Sequence, residues 1–110
     1  MVVGTTIFKL DGNPYHSPSF PRGGLAGTFV VRTTHVSGSP TVTITVEHRN
    51  AEDTSFSSAG TFANITATGT TEVDLSSLKE IVRFKYEFDV GDDATDAIHF
   101  VMQLPSWRPY

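Results

Sequence analysis

Residues 40–88 read PTVTITVEHRNAEDTSFSSAGTFANITATGTTEVDLSSLKEIVRFKYEF. The stretch opens on strict alternation, with Val42, Ile44 and Val46 on one face and Thr41, Thr43, Thr45 and Glu47 on the other. It closes the same way, with Val82, Phe84, Tyr86 and Phe88 set against Arg83, Lys85, Glu87 and Asp89. A period of two sustained over seven or more residues marks a strand with one buried face. Between the two runs lie polar turns and no catalytic constellation. The chain therefore reads as a β-framework with decorated surfaces.

Working outward, strands are predicted at 6–10, 27–36, 41–48, 60–66, 70–75, 80–90 and 97–104. Asp11-Gly12-Asn13-Pro14 and Ser37-Gly38-Ser39-Pro40 are turn signals. The second turn is expected to join 27–36 and 41–48 as a hairpin. Residues 76–79 read as a tight turn or a single helical turn. No segment keeps a helical period over three turns. Short strands separated by Gly, Pro, Asn and Ser predict an all-β chain, an antiparallel β-sandwich of jelly-roll type, with 1–110 as one domain. The predicted core is Val30, Val42, Ile44, Val46, Phe62, Ile65, Val73, Leu75, Val82, Phe84, Tyr86, Phe88, Ile98, Phe100 and Met102. Phe29 and Val31 replace Val30 if the register shifts by one residue, because such a shift turns every side chain over.

Composition narrows the functional classes. At 110 residues the chain is long enough for one core. Its hydrophobic share is 38%, and Thr and Ser fill many of the remaining strand positions. A net charge of −4 disfavours nucleic acid, whose phosphates call for clustered Lys and Arg. The absence of cysteine excludes disulfides and thiolate zinc sites. No apolar run is long enough for a membrane helix. The opening MVVGTTIFKL lacks the basic and apolar regions of a signal peptide, so synthesis and use without export are expected.

Candidate chemistry is sparse. Asp89, Asp92, Asp93 and Asp96 crowd one turn and offer oxygen ligands, but their spacing is not that of an EF-hand, and a solvated hairpin turn is the expectation. His16, His35, His48 and His99 do not announce a zinc site, which needs three or four convergent ligands. His48 continues the Val42–Val46 face and is expected at the edge of the core. No Gly-x-Ser-x-Gly elbow or phosphate loop is present, and Arg22-Gly23-Gly24 lacks the Lys-Ser/Thr that would follow. Glu47, Glu52, Asp53 and Asp74 show no spacing that favours a glycosidase pair. Asn64-Ile65-Thr66 matches a glycosylation sequon, a chance match if the chain is not exported. The expectation is a non-enzyme with no cofactor and no metal.

Two Pro-rich segments stand out, residues 13–25 and residues 105–110. They carry Tyr15, Phe20, Arg22, Trp107, Arg108 and Tyr110, the residue types enriched at interface hot spots. These six are the candidate interface residues. The tail at 105–110 has two readings, an extended arm that docks on a neighbour or a segment folded back to close its own sandwich.

The central stretch also resembles the small all-β structural proteins of tailed bacteriophages encoded near the major capsid protein. The resemblance rests on the Ser37-Gly38-Ser39-Pro40 turn, the strand 41–48, the segment Asp53 to Phe56, Gly60-Thr61-Phe62, Leu78 and Ile81-Val82-Arg83-Phe84-Lys85-Tyr86. It covers about half of the chain. Two departures are Phe56, where Trp is usual, and Asn50-Ala51-Glu52 ahead of the Asp. The resemblance implies a capsid decoration or cement protein of the virion, made in the host cytoplasm. Such a protein is a dimer or trimer that binds the outside of the capsid, bridges capsomers and has the major capsid protein as partner. Residues 78–86 are also similar to the late strand of discoidin-like carbohydrate-binding sandwiches. That second likeness implies a glycan-binding module of a phage tail or surface protein, with Trp107, Tyr110 and Tyr15 as stacking aromatics. Neither likeness implies nucleic-acid or membrane binding.

Overall fold

The computed structural model describes residues 2–9, 14–38, 40–89 and 97–109. All regular structure among them is β. In chain order the strands are β1 (Val2–Lys9), β2 (Tyr15–His16), β3 (Phe20–Pro21), β4 (Ala26–Ser37), β5 (Thr41–Arg49), β6 (Ser57–Thr61), β7 (Gly69–Leu75), β8 (Ile81–Asp89), β9 (Ala97–Gln103) and β10 (Ser106–Arg108). They form two antiparallel sheets that pack into a sandwich.

The two alternating runs of the opening stretch are neighbours. β5 and β8 pair along their whole length, with Val42 opposite Phe88, Ile44 opposite Tyr86, Val46 opposite Phe84 and His48 opposite Val82. All eight side chains point inward and are buried. On the outer face the same register sets Glu47 opposite Arg83, and Arg83 Nε donates to Glu47 Oε1 at 2.8 Å. β6 extends this sheet beyond β5, and β2 and β3 together line the free edge of β8. In the second sheet, β4 pairs with β7 on one edge. Its other edge pairs with β9 over residues 31–37 and with β10 over residues 26–28. β1 lies outside β9.

Phe29 and Val31 of β4 face inward at 0% exposure, and Val30 is only half-buried on the outer side. The one-residue register shift is therefore the one realised, and Val30 leaves the predicted core. Val73, also expected there, is half-buried at the sandwich margin, because β7 is an edge strand. Leu78 and Ala26 are buried beyond what was expected. The turn at 37–40 does not form a hairpin. β4 and β5 share no register and belong to different sheets, so the segment arches across the sandwich, with Gly38 at φ 78° and Pro40 fully buried. Each strand has one apolar face, and crossing between layers lets those faces meet in one core. Residues 76–79 form no helical turn, and Ser77 sits in the left-handed region at φ 55°. The expected strand at 60–66 is shorter and earlier, and Ile65 joins Val42 only by an isolated bridge.

From the sequence, residues 13–25 read as an extended loop or arm, too Pro-rich for a central strand; the structure instead places two short edge strands there, β2 and β3, both paired to β8. Phe56, alone among polar turn residues, is held between two guanidinium groups, Arg83 at 3.9 Å and Arg49 at 5.2 Å from its ring centre. These cation–π contacts fasten the β5–β6 connection onto the outer face of its sheet. Arg49 also donates to the carbonyls of Asn50, Ala51 and Asp53.

His48 ends the inner row of β5, as expected from its face, at 9% exposure. Its Nδ1 accepts the Lys79 backbone N–H at 3.1 Å, which requires an unprotonated nitrogen there. Burial first, and the Lys79 ammonium second, hold its pKa below 6.5. Below 6.5 the unfolded chain takes up a proton at this histidine that the folded protein resists. The stabilising contribution is therefore complete above that pH and is lost as pH falls through the depressed folded value. Thermal melts taken from about pH 7.5 down to 5.5 should show a falling Tm, with a shallower fall in His48→Gln. Equal slopes in the two proteins would refute this role.

Candidate functional site

The two Pro-rich segments meet at one end of the sandwich. β3 runs beside β8 with Phe20 opposite Val82 and Pro21 opposite Ile81, and the Arg22 N–H donates to the Glu80 carbonyl at 3.0 Å. β10 runs beside the start of β4, with Trp107 opposite Gly27 and Arg108 opposite Ala26. The tail is thus folded back on its own sandwich, the second of its two readings. Between the segments lies an open cleft of about 430 Å³ lined by Arg22, Gly23, Gly24, Leu25, Trp107, Arg108 and Pro109.

Packing fixes each wall. The Trp107 indole stands edge-on to Phe29, with ring centres 5.6 Å apart. It lies so close under Gly23 that a Cβ there would come within 2.5 Å of Cδ1. A Cβ on Gly24 would fall 2.3 Å from the Arg108 carbonyl oxygen, so only glycine lets the two backbones approach in this way. The Leu78 N–H donates to the Leu25 carbonyl at 2.9 Å, and Arg22 Nη1 donates to the Leu78 carbonyl. Across the cleft, Arg108 Nη1 donates to Thr28 Oγ1 at 2.9 Å, and the same hydroxyl donates to Asp74 Oδ1. Leu25 is 44% exposed at the rim.

Of the six candidate interface residues, Arg22, Trp107 and Arg108 come together here. Phe20 does not line the cleft. It packs on Phe84, with ring centres 5.5 Å apart, and supports the segment from beneath. Tyr15 is 40% exposed but pairs opposite Tyr86, five positions along β8 from the Ile81 end, or about 17 Å away at strand rise. Tyr110 lies outside the described residues. Sequence reading passed over Gly23, Gly24 and Leu25. In the sequence the Gly23-Gly24 step reads as loop punctuation or an incomplete phosphate loop, and nothing in it marks the close approach to the tail.

The other candidates fall elsewhere. His35 and His99 face one another across β4 and β9, yet among the described residues no group of three His, Cys, Asp or Glu is placed to hold a metal ion. Residues 90–96 of the acidic turn lie outside the described residues. Glu47 pairs with Arg83 on the outer face of one sheet, and Asp74 bonds Thr28 on the other sheet, so these carboxylates do not flank a common cleft. Asn64 is exposed, and its Oδ1 accepts from the Thr43 hydroxyl at 3.1 Å. No described helix is long and apolar enough to cross a membrane. No family model matches the chain, and neither a curated protein nor a solved structure matches it.

Proposed function

We propose that this chain is a non-enzymatic structural protein of a virion, a capsid decoration or cement protein that binds the outer surface of a phage shell as a small homo-oligomer. The observation that carries the reading is the cleft at the end of the sandwich. Arg22, Trp107 and Arg108, three hot-spot residue types, are presented there on backbone already paired to β8 and β4. A surface ordered before docking loses little conformational entropy when it binds. In this reading contact with the major capsid protein is made by a rigid platform, not by flexible arms. The pairing order also supports the finer jelly-roll assignment, since β1, β9 with β10, β4 and β7 face β2 with β3, β8, β5 and β6 as two five-stranded sheets, each four strands wide.

A bound protein of this kind stabilises the assembled shell by mass action. Purified protein is expected to co-sediment with expanded capsids at a fixed stoichiometry and to raise the temperature at which they fall apart. Binding to a glycan array without co-sedimentation would replace this reading by the carbohydrate-binding one.

A further inference from the structure

We infer that the cleft between residues 22–25 and 107–109 is a carboxylate-binding site, whose occupant is an aspartate or glutamate side chain of the partner protein. The inference deepens the proposed docking function and rests on it. Arg22 and Arg108 are both lining residues of this cleft, and neither forms an ion pair with a carboxylate of the described residues. The ion pairs among those residues are His16–Glu47, Lys79–Asp53, Arg83–Glu47 and Lys85–Glu87. Arg22 and Arg108 are held instead by neutral acceptors, the Leu78 carbonyl and the Thr28 hydroxyl. Such acceptors aim a guanidinium without neutralising it. Each guanidinium carries five N–H donors, and only one is used in each of these contacts. Leu25 and Trp107 supply apolar surface for the methylenes that carry a carboxylate.

The chemistry favours a single planar carboxylate. A guanidinium binds that group through two parallel N–H bonds. Asp74 moderates the site, because its carboxylate stands one hydroxyl away from Arg108.

The test is fluorescence anisotropy with a labelled decapeptide of alternating Glu and Gly, compared with its Gln and Gly counterpart. The protein should bind the acidic peptide at low salt and not the amide peptide. Loss of a charge-assisted hydrogen bond should weaken that binding about tenfold in Arg108→Gln and in Arg22→Gln. Asp74→Asn should tighten it, a gain that misfolding cannot mimic. Equal binding of the two peptides, affinity unchanged in both arginine variants, or full displacement by millimolar inorganic phosphate would each overturn the inference. Capsid co-sedimentation separates it from the reading beneath it. Protein that decorates capsids but ignores the acidic peptide refutes the carboxylate site alone. Protein that binds the peptide in the expected pattern but no capsid refutes the decoration role alone.

Discussion

Phe84→Ala should lower the melting temperature by about 12–20 °C, a fall read by far-UV circular dichroism. Phe84 is fully buried on β8 and touches rings from three elements. Phe20 of β3 lies 5.5 Å away on its own sheet, Tyr86 of β8 lies 6.4 Å away, and Phe29 reaches across from β4 in the opposite sheet at 6.0 Å in an edge-on pose. The ring therefore couples the two layers and carries the cleft-bearing segment through Phe20. Truncating a buried Phe to Ala removes transfer free energy and leaves a cavity, together about 3–5 kcal/mol. A domain of this size has about 5–15 kcal/mol in total, and each kcal/mol moves its Tm by about 4 °C. Phe84→Leu keeps most of the volume and should lose less than half as much. A melt of Phe84→Ala within about 5 °C of the parent would show that this ring does not join the sheets.

Phe84 was legible because β5 and β8 obey a single parity. Every apolar residue from Val42 to Val46, and from Val82 to Phe88, falls on one face, and an edge-to-edge pairing of the two buries both rows at once. β4 has no such parity. Phe29, Val30 and Val31 are apolar in succession, and only the facing sheet decides which of them turns inward. The error at 37–40 has a similar root. A hairpin and an arch both need Gly and Pro, and the difference between them lies in which layer the next strand joins. Strands as short as β2, β3 and β10 have no period to read. Their pairing depends on an open edge supplied by β8 and β4. The candidate site was accordingly half legible. Residue type picked out Arg22, Trp107 and Arg108, while the close approach of Gly23 to the indole and of Gly24 to the Arg108 backbone is a tertiary fact. Tyr15 shares their residue type but lies opposite Tyr86, five positions along β8 from the Ile81 end.

Trp107→Ala should cost about 2–4 kcal/mol and also weaken partner binding, and the two effects can be told apart. The indole is half-buried, so its truncation falls somewhat below the range for a fully buried Trp. What is lost is the edge-on contact with Phe29 and the wall that Gly23 rests on. Trp107→Phe keeps an aromatic ring near Phe29 and leaves Arg22 and Arg108 in place, so it should melt closer to the parent and retain most binding. Deleting residues 107–110 is a harsher change. It strips β10 from Gly27 and Ala26 and bares the edge of β4 there, which invites strand pairing between molecules. Lost binding in that deletion would therefore not locate the contact surface, whereas lost binding in Arg108→Gln at an unchanged Tm would. Because Trp107 is the only tryptophan, its fluorescence reads the same question directly. Its emission should shift when an acidic partner enters the cleft, and the shift should disappear in Arg22→Gln. Emission that stays constant while the partner binds would place the docking surface elsewhere on the sandwich.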